Sequence, residues 1–250
     1  MANKRDPAGS VRPKEGHFLT THWSMVLEAG REQTVDAEQA LARLCETYWP
    51  PIYSYLRRQG LNVQDAEDCT QGFFASLLSR HAFARADPER GRFRSFLLTA
   101  LRHYQADVRV RDGALKRGGP NPAIVLDRAL AEGRWPGAGQ ETLTPEQLYE
   151  LRWALTLLET TLERLARDFA RTGRADFFAE LTGYVWGQQV NTPYRVIAAR
   201  FGLSESAVRV TVHRLRQRFR ELLRLEVAHT VARPEEIDEE LHHLAEVLGL

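Results

Sequence analysis

The sequence predicts an all-α protein, two small helical domains joined by a linker. Three observations predict it. Apolar residues recur with a period near 3.6 and show no sustained period-two alternation. Turn-forming residues concentrate near the middle of the chain. The C-terminal half holds two helical patterns separated by a tight turn, Gly202-Leu203-Ser204.

The chain's 250 residues suffice for two domains of ordinary size. With 43% hydrophobic and 27% charged residues it is neither wholly disordered nor fibrous. No apolar run approaches the roughly 18 residues of a membrane span, and Met1 to Lys14 lacks a signal-peptide core, so the cytoplasm is the expected compartment. Cys45 and Cys69 have no zinc-site spacing, so neither a disulfide nor a metal nor any other cofactor is expected.

Residues 1–17 read as a disordered arm, and the first domain spans 18–111. Its first helix carries Ala40, Leu41, Leu44, Cys45 and Tyr48. Pro50-Pro51 should break or kink it, because the residue before a proline is pushed out of the α region; helix resumes through Ile52, Tyr55 and Leu56. After the turn Gly60-Leu61-Asn62, Asn62 is placed to cap a helix with Ala66, Cys69, Phe73 and Leu77 on one face. A charged loop, Arg85 to Arg92, leads into a helix marked by Phe93, Phe96, Leu97, Ala100, Leu101, Tyr104 and Val108.

Residues 112–143, rich in glycine and proline, form the linker. The second domain, 144–232, opens on Thr144-Pro145-Glu146-Gln147, a capping box with proline at the first helical position. Leu148, Leu151, Leu155, Leu158, Leu162, Leu165 and Phe169 follow at spacings of three and four, which fits either a dimerising leucine seam or a core-facing helix in a small bundle. Thr192-Pro193 opens a short helix with Val196, Ile197 and Phe201 inward; Gly202 can end it in a left-handed conformation and Ser204 can cap the next. That next helix buries Val208, Val212, Leu215, Phe219 and Leu222. Residues 233–250 form an acidic amphipathic helix expected to pack on the second domain, either as plain structure or as a shield over its arginine face.

Net charge, with 34 basic and 33 acidic residues, conceals two basic segments. Arg85 to Arg117 holds nine basic residues against four acids, and Ser204 to Arg224 holds six arginines against Glu205 and Glu221. Two basic segments fit two contacts with one polyanion. In the second, Arg209, His213, Arg216 and Arg220 share an outer stripe with Ser206, Val210 and Arg214 beside it, the pattern of a helix-turn-helix with a basic recognition helix. An ordinary helical hairpin with a solvated arginine face is the plainer alternative.

These motifs together resemble the extracytoplasmic-function class of bacterial RNA polymerase sigma factors. Residues 194–209, Tyr194 to Arg209, and His213-Arg214-Leu215-Arg216 resemble the promoter-reading region four; Asp65-Ala66-Glu67-Asp68-Cys69-Thr70-Gln71 with Phe73-Phe74 resembles region two, and Arg92-Phe93-Arg94-Ser95-Phe96-Leu97 its later part. Thr20 to Ser24 and the acidic tail look like extensions of a longer subgroup. Gly72 stands where the family usually has an acid, and Phe96 where tryptophan is common.

The resemblance implies core RNA polymerase, through its large-subunit clamp helices, and promoter DNA as partners, with room for an anti-sigma factor that the sequence does not name. It implies polymerase contacts at Asp65, Asp68 and Gln71. It implies minus-ten contacts at Arg90, Arg92, Phe93, Arg94, Arg102 and Arg109, where a flipped base would need apolar walls and its strand cations. Phe93 reads equally as a core residue, and the acids of Asp65 to Asp68 have a second reading as helix-dipole partners, which is the one preferred for Glu67. It implies minus-thirty-five contacts at Ser206, Arg209, Val210, His213, Arg214, Arg216 and Arg220, the last two toward phosphate. The expected function is a non-catalytic initiation factor. A stand-alone helix-turn-helix regulator, dimerising through the leucine seam, is the alternative. An enzyme on nucleic acid lacks support, since neither an HxE motif nor a phosphate-binding glycine loop occurs.

Overall fold

The computed structural model of the protein describes residues 35–79, 92–114, 142–185 and 192–249. The expected N-terminal arm, Arg90 with most of its loop, and residues 115–141 of the linker lie outside the described residues. Among the described residues the elements are helical and none is a strand. The N-terminal half contributes α1 (Val35–Arg58), α2 (Val63–Ser79) and α3 (Phe93–Ala114). The C-terminal half contributes α4 (Pro145–Arg171), α5 (Ala175–Val185), α6 (Tyr194–Phe201), α7 (Glu205–Ala228) and, after a short 3-10 turn at Pro234–Glu236, α8 (Ile237–Leu248). None of these helices is long and apolar enough to cross a membrane.

α1 runs through Pro50 and Pro51 without the expected break. An interior proline costs about 3 kcal/mol in a lost hydrogen bond and a ring clash. Tyr48, Trp49, Ile52, Tyr53, Tyr55 and Leu56, all buried, surround the two prolines. At about 1.5–3 kcal/mol for each fully buried large side chain, packing outweighs the local penalty. The cap expected at Asn62 forms: the Asp65 N–H donates to Asn62 Oδ1 at 2.9 Å, while Asn62 Nδ2 donates to Asp65 Oδ2 at 2.8 Å. Farther along α2, a Cβ built on Gly72 would lie 2.2 Å from the Tyr104 hydroxyl, so α3 seats its tyrosine where α2 has no side chain.

α4 starts with the expected capping box: the Gln147 N–H donates to Thr144 Oγ1 at 3.1 Å and the Thr144 N–H to Gln147 Oε1 at 2.9 Å. It is buried on two sides, against α1 and against α7. Tyr149, Trp153, Ala154, Leu157 and Leu158 are core residues, whereas Leu151, Leu155 and Leu162 are half-buried. The leucine spacing therefore serves packing inside the chain. Among the described residues one apolar core runs from Leu44 of α1 to Leu244 of α8. Polar contacts accompany it across the halves, among them Tyr149 Oη donating to the Arg94 carbonyl at 3.0 Å, Arg58 Nε to the Leu143 carbonyl at 2.7 Å, and Arg102 Nη2 to Glu146 Oε1 at 2.7 Å.

α5 carries Phe177, Phe178, Leu181 and Tyr184 inward at helical spacing, a periodic signal present in the sequence that was not among the expected elements. In α6, Ile197 and Ala198 are buried, and Phe201 sets its ring 4.9 Å from that of Phe177. Val196, expected inward, is 49% exposed. An eight-residue helix has one narrow inner face, and Ile197 occupies it.

Candidate nucleic-acid interface

The helix-turn-helix is built by local chemistry that the sequence announces. Gly202 ends α6 at φ 65°, a left-handed conformation that favours a residue without Cβ, and the Leu203 N–H donates to the Ala198 carbonyl at 2.8 Å. Ser204 then caps α7, its hydroxyl accepting from the Ala207 N–H at 3.1 Å. Val208, Val212, Leu215, Phe219 and Leu222 are all buried, as expected. Their burial fixes the rotation of α7 and leaves Ser206, Arg209, Val210, His213, Arg214 and Arg220 exposed.

Arg209 is held without being hidden. Its Nη2 donates to Glu205 Oε1 at 2.8 Å, and its guanidinium carbon lies 5.8 Å from the Tyr194 ring centroid, with the side chain still 68% exposed. Such a surface ion pair exchanges readily for a base or phosphate partner. Val210, 48% exposed beside it, offers an apolar surface of the kind that meets a thymine methyl. Arg216 differs: its Nε donates to the Tyr184 carbonyl at 2.8 Å, near the C-terminus of α5, so it braces the fold where phosphate contact was expected.

The minus-ten candidates divide into three groups. Phe93 is fully buried, its ring edge-on to Tyr48 at 5.3 Å, which corrects the base-contact reading: the residue fills the core. Arg102 and Arg109 are exposed on α3. Hydrogen bonds to Tyr55 and Glu146 raise the Arg102 pKa, and the same Arg102 hydrogen bond holds the Glu146 carboxyl below its usual value. Arg92 and Arg94 are enclosed by acids. Arg94, 7% exposed, lies with its guanidinium carbon 4.6 Å from the Trp153 ring centroid, donates from Nε to Glu150 Oε2 at 2.7 Å, and pairs with Glu240 through Nη1. Arg92 meets Glu236 at 3.2 Å, Glu239 at 2.8 Å and Glu240 at 3.2 Å, one carboxylate for each of its nitrogens.

Those carboxylates belong to the 3-10 turn and α8. The tail packs on α4 and α7 of the C-terminal half, as the sequence leads one to expect, but the arginines it covers are Arg92 and Arg94 at the start of α3 rather than the outer face of α7. On α7 the tail pairs Asp238 with Arg224, and the recognition positions near Ser204 stay exposed. Burial alone would raise the Glu236 carboxyl; hydrogen bonds from Arg233 and the Ala232 N–H, with the charges of Arg92 and Arg233, hold it below its usual value.

On α2, Asp65 and Asp68 are exposed and Gln71 is half-buried. Asp65 is engaged in the Asn62 cap, which leaves Asp68 and Gln71, one turn apart, as the outward pair. Burial pushes the Cys45 thiol to about 12 and the Cys69 thiol to about 11, so neither is a ready nucleophile. No cluster able to hold a metal ion occurs among the described residues.

Residues 44–113 match the family model Sigma-70 region 2. The chain is 26% identical over 204 residues to the ECF RNA polymerase sigma factor RpoE of Cereibacter sphaeroides, an alignment that covers 79% of this chain and 94% of that protein. An alignment of that length extends beyond α1 to α3 into the C-terminal helices. No solved structure matches the chain.

Proposed function

We infer that this chain, which belongs to the extracytoplasmic-function class of RNA polymerase sigma factors, is a dissociable subunit that directs core polymerase to particular promoters and helps open them. It performs no bond-making chemistry of its own. One observation carries this reading: a region two module and an exposed helix-turn-helix occur in that order on one chain. The first supplies a polymerase-facing helix, with Asp68 and Gln71 toward the basic clamp helices, where complementary charge would steer docking. The second presents Arg209, Val210, His213 and Arg214 to the major groove at the minus-thirty-five element. Arg102 and Arg109 of α3 would accompany the minus-ten strand. The compartment is the cytoplasm, where the polymerase is, and an anti-sigma factor would be a further partner there.

The stand-alone regulator reading is not favoured, because Leu148, Leu158 and Leu165 of its dimer seam are buried in the internal core. Reconstitution with core polymerase tests the inference. The expected result is initiation at discrete sites on a promoter-containing library only when both chain and core are present. Initiation no different from core alone overturns it.

A further inference from the structure

The ion-pair cluster between α3 and the C-terminal segment encloses Arg92 and Arg94, two arginines of the basic segment, among carboxylates of which Glu240 is buried and Glu239 is exposed. Glu240 is 1% exposed and faces Arg94 through one oxygen and Arg92 through the other. Apolar contacts hold the segment in place: Leu244 is buried, Ile237, Leu241, Val247 and Leu248 pack against the core, and His243 lies 3.2 Å from Glu150. A hydrophobic filling would stabilise the join at least as well, since a buried ion pair is weak evidence for stability. Its distinctive property is exchange. A guanidinium that leaves a carboxylate for a phosphate keeps an anionic partner and its charge-assisted hydrogen bonds.

We propose that Pro234–Leu248 is an acidic cap that occupies the place of nucleic-acid phosphates on Arg92 and Arg94, so that the free protein binds single-stranded DNA weakly until the cap is displaced. The proposal rests on the reading above only in taking α3 as a strand-binding surface. The occupant it competes with is a single DNA strand, whose phosphates match the fork of Arg92. Its three nitrogens meet three carboxylates in the capped state, so a strand reaches Arg92 only by expelling at least one of them. Arg94 would follow when α8 leaves, because Glu240 is shared between the two arginines.

The test uses the full chain and a fluorescein-labelled single-stranded oligonucleotide of mixed sequence, without polymerase. In Glu236→Gln with Glu239→Gln, Glu240 remains to neutralise Arg94, so the fold should survive. Affinity for the oligonucleotide should rise about threefold to tenfold at low salt, with the salt slope steeper by about 0.7 as Arg92 neutralises one phosphate. Adding Arg92→Ala to that variant should abolish the increase. A second measurement needs no variant: in the wild-type chain, a saturating oligonucleotide should speed hydrogen exchange of the amides of Ile237–Leu248. Unchanged affinity in a variant with a normal melt, an increase that survives Arg92→Ala, or unchanged exchange at saturation each overturns the cap. Initiation with core polymerase is scored separately, so a failed cap and a failed initiation factor give different results.

Discussion

The Arg94 guanidinium is stacked over the Trp153 indole, its carbon 4.6 Å from the ring centroid, and this pair joins helices that the sequence assigns to different domains. Arg94 lies on α3 and Trp153 on α4, both buried, with Glu150 and Glu240 closing the charge from the sides. A cation in that position is stabilised by the ring face and by two carboxylates at once. The arrangement makes the halves interdependent.

Removing one partner of this buried pair should cost more than removing both. Arg94→Met leaves Glu240 enclosed with part of its charge uncompensated, and about 3–5 kcal/mol of unfolding free energy should be lost. Arg94→Met with Glu240→Leu should recover most of that. Urea titrations of the four chains of this cycle measure the coupling, and additive losses would show that the two charges do not depend on one another.

Gly72 should be required by the Tyr104 hydroxyl rather than by its backbone. Gly72→Ala places Cβ 2.2 Å from that oxygen, so it should lower the melting temperature despite alanine's better helix propensity. With Tyr104→Phe the offending atom is gone, and the ring carbon at 3.4 Å is an ordinary contact. In that background the same substitution should be neutral or stabilise by up to about 1 kcal/mol. Thermal melts of the four combinations decide this.

Asp68→Arg with Gln71→Ala should weaken capture by core polymerase at least tenfold, an order of about 1.4 kcal/mol, while leaving the melt unchanged. Both side chains face outward from α2, opposite Ala66, Phe73 and Leu77, so no core is cut. Equal binding of both proteins to core enzyme would remove α2 from the docking surface.

Three arginines of α7 should separate by function. Arg209→Ala should change which upstream sequence is selected and cost about 1–3 kcal/mol at one base position. Arg220→Ala, exposed and farther from the cap, should weaken all sequences alike and lower the salt slope by about one. Arg216→Ala should act mainly on stability, because its Nε bonds the Tyr184 carbonyl. Selection from a randomised upstream element with each holoenzyme, paired with melts, distinguishes these outcomes; an unchanged melt for Arg216→Ala would return that residue to the DNA-contacting set.

The helical class, and each end of a helix where a cap is written in neighbouring residues, can be read from the amino-acid order alone. Asn62, Thr144 and Ser204 cap as expected, because a side chain that satisfies a backbone N–H three residues away needs no tertiary partner, and Gly202 ends its helix as expected through a left-handed backbone that glycine adopts without strain. Except for Arg216, which turns to the Tyr184 carbonyl, the outward stripe of α7 was legible from the four-three spacing of its apolar residues, which fixes the opposite face. Matters of long-range competition were settled by packing between distant segments. Pro50 and Pro51 stay helical because the aromatic core around them outweighs the local cost. Phe93 turns inward because Tyr48 is there to receive it. The acidic tail covers Arg92 and Arg94 rather than the recognition helix because α8 packs on α4 as well as α7, and that places its carboxylates beside α3. Local hydrogen bonds are specified by adjacent residues. The choice between two basic surfaces for one acidic helix depends on where the shared core brings each of them.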